Sequence, residues 1–221
     1  MDKFVLLSLS ALLYLLGAVC NHKKSLFEVL FKVLATAIIV FLLGTNLSPS
    51  IQAVFIGAVF ALLGDAVLAV NNHVEDDTTP SLVLMGIGIL LFLIGYLCYG
   101  ITFLARGEEV IFSLVFLIGM TFLTFACYRQ FKLLDKVTRV PVILYCLQGI
   151  LLITAAFRLL LSSPSLSTAL IFVGSAGLYI SDMIIGFNLF CKKLDKGEIG
   201  IMATYALGQI AITWGVINGF S

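Results

Sequence analysis

Charge is what this sequence has least of. Only 11% of its 221 residues are Asp, Glu, Lys or Arg, against about a quarter in a soluble domain, and 61% are hydrophobic. So few polar side chains cannot cover a soluble core of that size, so most of the chain has lipid as its solvent. Backbone polar groups cannot face lipid unpaired, which leaves helices or a closed barrel. Barrel strands alternate apolar and polar residues, whereas the apolar runs here are apolar all round, so helices are expected. Histidine is almost absent, with only His22 and His73. Cys20, Cys98, Cys127, Cys146 and Cys191 are scattered in or beside apolar runs, and no Cys-x-x-Cys occurs. Nothing therefore supports a disulfide framework or a metal site, and no cofactor is expected. There is no Gly-x-Ser-x-Gly, and neither histidine falls in an apolar run where it could serve a serine nucleophile. The net charge of +1 gives no footing for nucleic acid.

What is present is a series of apolar runs, each close to the 20 or so residues that cross a hydrocarbon core. They predict an all-α integral membrane protein, an eight-transmembrane-helix bundle forming a single domain over 1–221. Spans are expected at about 4–20, 27–44, 51–70, 82–104, 109–127, 140–161, 165–190 and 199–219. The first run resembles a signal peptide, but Gly17-Ala18-Val19 before Cys20 is a poor lipobox, and it is read as a retained helix. The odd-numbered loops hold Lys23, Lys24, Arg129, Lys132, Lys136, Arg139, Lys192, Lys193 and Lys196, while the other side holds Lys3, Arg106 and Arg158. Lys32, inside the second span, is left out of that count. The positive-inside rule then makes the odd loops cytoplasmic and both termini non-cytoplasmic. The third loop, with Glu75-Asp76-Asp77, adds nothing basic.

One internal echo runs through the chain. Gly57 to Asn71 reads GAVFALLGDAVLAVN and Gly174 to Asn188 reads GSAGLYISDMIIGFN, with Gly, Asp and Asn at the same offsets. The spans concerned are four apart, so a duplication would give two parallel four-helix halves.

Asp65 and Asp182 carry the chemical signal. A carboxylate inside an apolar span is costly, so it faces a protein interior or a wet cavity and marks function, or else it only ties helices together. Asp65 precedes Asn71 by six residues and Asp182 precedes Cys191 by nine, which puts them roughly 9 and 14 Å below one interface. They share a leaflet, and a common cavity is expected. Tyr96 and Tyr99, Tyr145 and Gln148, and Tyr205 and Gln209 lie about one turn apart in their spans, placed to line such a cavity or to join helices. Arg158 is read as an interfacial anchor.

Four segments taken together resemble the YhhN-like family of eight-span membrane proteins, which includes lysoplasmalogenases. They are Gly57 to Leu68, Pro141 to Tyr145, Gly174 to Phe190 with Ser181-Asp182, and Ile201 to Tyr205 with Gln209. Gly95-Tyr96-Leu97-Cys98-Tyr99 departs from the family pattern, with tyrosine where histidine is expected. The resemblance implies hydrolysis of the vinyl ether bond of a lysoplasmalogen to a fatty aldehyde and a glycerophospho-base. Its partners would be a lysophospholipid substrate and membrane lipid, with no obligate protein partner. The residues suit that chemistry. Protonating the alkene makes an oxocarbenium-like cation, and water then adds. Two carboxylates in different settings can divide the acid and base roles, as in glycosidases. Asp65 and Asp182 are the candidate pair, with Tyr96, Tyr205 and Gln209 positioning substrate or water. The competing reading is a small transporter or lipid-binding module that uses the aspartates as proton or substrate sites. A structural scaffold is disfavoured because the loops are too short to present a partner surface. The membrane would be the cytoplasmic membrane of a bacterium or the endoplasmic reticulum of a eukaryote.

Overall fold

The computed structural model describes residues 2–22, 27–71, 73–74, 78–132, 136–192, 194 and 197–220. Lys23, Lys24, Lys193 and Lys196, with Glu75, Asp76 and Asp77, lie outside the described residues. The described chain is all-helical, with α1 Lys3–His22, α2 Phe27–Thr45, α3 Gln52–Asn71, α4 Thr79–Leu104, α5 Ile111–Tyr128, α6 Lys136–Ser162, α7 Leu166–Phe190 and α8 Gly197–Gly219. Seven of these are long and apolar enough to cross a membrane; the apolar stretch of α2, Val29–Thr45, is shorter. At 19 residues α2 still measures roughly 28 Å, close to the hydrocarbon thickness.

Helix ends are set by local chemistry. Thr78 accepts from the Ser81 N–H at the start of α4, and Ser165 and Thr168 form a reciprocal capping box on α7. The Glu109 carboxylate accepts from the N–H groups of Phe112 and Ser113 and so caps α5. At the same end, Arg106 donates to the Ser50 carbonyl at 2.8 Å and lies 4.3 Å from the Phe220 ring centre, tying the α4–α5 turn to the neighbouring helices.

Lipid tails are as apolar as leucine, so helices in a membrane gain little by hiding leucine from them. The outer surface is accordingly greasy. Phe112, Val115, Ile118 and Phe122 of α5 all face outward. Close approach of backbones holds the interior together instead. A β-carbon on Gly57 would lie 2.6 Å from the Gly95 carbonyl, and one on Gly95 would lie 2.8 Å from that of Gly57. Gly174 and Gly208 repeat the arrangement, at 2.7 and 2.9 Å. α3 therefore crosses α4, and α7 crosses α8, glycine on glycine.

The helices pack as a ring in the order α1, α2, α3, α4, α6, α7, α8 and back to α1, with α5 outside against α6. Adding four to each helix number maps α1–α2 onto α5–α6, α2–α3 onto α6–α7, α3–α4 onto α7–α8, and α4–α6 onto α8–α2, all of which are packed pairs. The correspondence fails once. α1 packs on α8, but α5 does not close on α4 in the same way.

Gly174→Ala is expected to destabilise the protein by about 1–3 kcal/mol, because its β-carbon meets backbone that cannot move away. Gly119→Ala, where a β-carbon has nothing within 4 Å, is expected to melt within a degree or two of wild type. Thermal melting of the purified proteins in one detergent checks this, and equal melting temperatures for both variants would remove the crossing from the account.

Candidate active site

Gly57 and Gly174 lie eight residues before Asp65 and Asp182, just over two helical turns. The face of each helix that meets a neighbour at the glycine therefore presents its aspartate inward two turns later. Asp65 is fully buried and Asp182 is 6% exposed. The two carboxylates, far apart in the chain, line one cavity of about 450 Å³.

Asp65 is heavily partnered. Lys32 of α2 places Nζ 3.3 Å from Oδ1. Thr36, one turn further along α2, donates to Oδ2, and Tyr205 of α8 donates to the same oxygen at 2.9 Å. Each of those hydroxyls is supported from behind. Tyr14 of α1 is 2.7 Å from the Thr36 hydroxyl, and because Thr36 gives its one proton to Asp65, Tyr14 is the donor of that pair. On the other side Tyr99 donates to Gln209 Oε1 at 3.1 Å, and Gln209 Nε2 donates to the Tyr205 oxygen at 3.2 Å. Two donor chains thus run inward from α1 and α4 and end on one carboxylate oxygen. A buried charge needs this dressing, since an ion pair taken out of water is tolerated only when its remaining lone pairs are satisfied.

Asp182 is sparsely dressed. Its Oδ1 accepts from Tyr145 of α6 at 3.0 Å, and its Oδ2 has no hydrogen-bond partner among the described residues. The next residue back, Ser181, turns away and donates to the Ile201 carbonyl of α8. The two aspartates therefore share a cavity without sharing an environment.

Lys32, Tyr96, Tyr145, Ser181 and Tyr205 complete the polar lining. The rest is apolar and comes from one end of the bundle. It draws on the start of α4 (Leu82, Met85), the start of α6 (Pro141, Val142) and the end of α7 (Leu189, Phe190). This is the end that carries the odd-numbered loops. Leu82 and Gly86 of α4 face outward and also line the cavity, so it is reached from the side as well as from that end. The path of α5 explains the side entry. Near its start α5 lies against the late turns of α4 and α6, with Ser113 and Leu114 lining a space between them. Near its end α5 has crossed to α7, where Thr124 and Tyr179 are hydrogen-bonded at 2.7 Å. The early turns of α4 and α6 are left without cover.

The sequence-derived candidates divide in three. Asp65, Asp182, Tyr96, Tyr145 and Tyr205 line the cavity. Tyr99 and Gln209 stand behind Tyr205 and act on the site through it. Gln148 faces a second, smaller cavity near the other end of the bundle, which Tyr96 and Arg158 also border. Arg158 differs from an interfacial anchor in one respect, since its Nε is buried without a hydrogen-bond partner. Sequence reasoning missed Lys32, Thr36 and Tyr14. Lys32 carried a usable signal, because a lysine inside an apolar span needs a buried partner as much as an aspartate does. Thr36 and Tyr14 carried none, being ordinary residues of apolar helices.

A search of curated proteins and of solved structures finds no match to this chain. The family model described as the YhhN family matches residues 27–216, from the first residue of α2 to late in α8. That stretch contains both aspartates, Lys32, Thr36 and all the cavity tyrosines, while α1 with Tyr14 lies before it. The chain is a member of the YhhN family.

Proposed function

We propose that this protein is an intramembrane hydrolase that cleaves the vinyl ether bond of lysoplasmalogens, giving a fatty aldehyde and a glycerophospho-base. One observation carries the proposal, namely that two carboxylates with unlike partners face a single cavity open to lipid on one side. Membership of the YhhN family fits a role of this kind.

The unlike partners suggest the division of labour. Asp65, held against Lys32 with two hydroxyls donating to it, is the charged member. Asp182, with one donor and one oxygen that has no hydrogen-bond partner, is the proton donor. In the first step Asp182 delivers its proton to the alkene carbon, leaving an oxocarbenium-like cation next to the ether oxygen. Asp65 then takes a proton from water as the oxygen of that water bonds to the cationic carbon. In the last step the protonated Asp65 returns its proton to the ether oxygen, and Asp182 accepts the hemiacetal hydroxyl proton. The C–O bond breaks, the aldehyde forms, and both carboxyls are back in their starting states. Tyr145 and Tyr205 hold the two carboxyls in place, and Tyr96 forms the inner wall against which the chain lies.

The depth of the site suits the substrate. The ether oxygen of a lysolipid lies slightly below its headgroup, and the aspartates lie roughly 9–14 Å below the helix ends. The positive-inside reading puts this end in the cytoplasm. Entry between α4 and α6 lets a lysolipid arrive from the leaflet without leaving it.

A second reading rests on Tyr96, which borders cavities at opposite ends of the bundle. A small transporter would use that ring as the partition between two half-paths. Flux of a labelled lysolipid across proteoliposomes, without aldehyde release, would favour it.

Asp182→Asn and Asp65→Asn are each expected to lower aldehyde release by about 10²–10⁴-fold in purified protein that still melts cooperatively. Activity near wild type in either variant would take that residue out of the mechanism. The wild type is expected to cleave lysoplasmalogen and to leave the saturated ether analogue intact.

Lys32→Met is expected to cost about 3–5 kcal/mol of stability by stranding Asp65. Lys32→Met combined with Asp65→Asn is expected to regain most of that stability while remaining inactive. Simple additivity of the two losses in melting experiments would show that the pair is not coupled.

A further inference from the structure

The place where α5 fails to close on α4 holds a second cavity, of about 200 Å³. It lies between the late turns of α4 and α6 and the early turns of α5, at the end away from the two aspartates, and among the described residues Tyr96 alone borders both spaces. Its walls are mostly apolar, with Leu97, Leu114, Leu117 and Leu151 among them. Besides Tyr96, four polar side chains break that pattern, and one of them, Ser113, is satisfied by the Glu109 and Val110 carbonyls. Both amide atoms of Gln148, the Thr154 hydroxyl and Arg158 Nε are buried without a hydrogen-bond partner among the described residues. Gln148 is 3% exposed and Thr154 8% exposed, so water outside the protein does not serve them. Buried polar groups are nearly always satisfied, and three orphans around one space point to something that belongs in it.

Their arrangement indicates what that is. Thr154 and Arg158 are four residues apart on α6 and so stack on one face, a guanidinium above a hydroxyl. Arg158 is one turn from Ser162, the last residue of the helix, which puts it near the depth of a lipid headgroup. Gly107 allows this, because a β-carbon there would lie 2.7 Å from the Arg158 Cγ. No acidic residue lines the cavity. The two carboxylate oxygens of Glu109, just before α5, are held by N–H groups of that helix. A positive group and a hydroxyl at the mouth with leucines beneath match an anionic head on an apolar chain. The space is less than half the size of the catalytic cavity, which suits one chain and not two. Gln148 lies roughly 15 Å deeper along α6, at the level where the chain would end against Tyr96.

We infer that this cavity is a binding site for a single-chain amphiphile with an anionic head. The ligand enters from the leaflet opposite the catalytic cavity, its head oxygens are taken by Arg158 and Thr154, and its chain lies between α4, α5 and α6. The inference stands apart from the hydrolase reading, since it uses neither aspartate.

The probe is palmitate with a diazirine at the chain end, photolysed on full-length purified protein in nanodiscs and mapped by peptide mass spectrometry. Saturable adducts are expected around Leu97–Ile101 and Leu114–Leu117. Excess palmitate should suppress them and hexadecanol, which lacks the charge, should not. Arg158→Gln is expected to weaken labelling by about tenfold or more, with Arg158→Lys keeping most of it and Asp182→Asn all of it. Thr154→Val gives a second, milder variant that keeps the guanidinium, and melting of each variant confirms folding. Suppression by lysophosphatidylglycerol as well as by palmitate identifies the anionic head in general as the ligand; suppression by palmitate alone narrows it to a carboxylate. Adducts confined to the catalytic cavity, labelling that does not saturate, or no effect of Arg158→Gln in folded protein would overturn the proposal.

Discussion

Two glycine crossings govern where everything else in this protein can be. In lipid there is little hydrophobic gain in bringing helices together, so contact must come from close packing and interhelical hydrogen bonds. Gly57 on Gly95 and Gly174 on Gly208 supply that contact at the level of the backbone. Their consequence appears two turns later. An aspartate on the same face of each helix is carried inward, to where it meets donors from the preceding helix in the chain. For Asp65 these are Lys32 and Thr36 of α2, and for Asp182 the donor is Tyr145 of α6. The same architectural rule operates twice, and the chemistry differs because one helix offers an ammonium and a hydroxyl where its counterpart offers a phenol.

That difference matters because a membrane interior penalises charge without regard to sign. The bundle meets the penalty at Asp65 with a cation and two converging donor chains. At Asp182 it leaves one oxygen unpartnered and accepts the less satisfied arrangement. An unpartnered buried carboxyl oxygen is a poor structural element. Two residues of the same type thus stand in unlike settings, with the hydrogen-bond network concentrated on Asp65 and little of it on Asp182.

The architecture and the site were legible in the sequence to different degrees. Eight helices follow from the lengths of the apolar runs and the chemistry of the breaks between them, both local properties. The two aspartates could be singled out because an acid inside an apolar run is conspicuous. Their shared depth followed from counting residues to the helix ends. Which polar side chains would join them could not be read, because that depends on helix rotation about the axis. Tyr96 and Gln148 look equivalent in sequence, yet one reaches the cavity of the two aspartates and the other does not. Lys32, which lies inside a span and so outside the count of loop charges, is the counter-ion of Asp65. Tyr14 lies in a helix with no acidic or basic residue between Lys3 and His22, and nothing local marks it as the outermost member of a chain ending on Asp65.

Tyr96 borders both cavities. Its ring is buried, with Phe92, Tyr99 and Tyr145 packed around it. A shared wall is also a shared coordinate. An occupant that displaces the Tyr96 ring from one side alters the space on the other, and linkage makes the free-energy effect equal in both directions. Contents of one space that moved this ring would bear on the other, with no loop or soluble domain needed to carry the message.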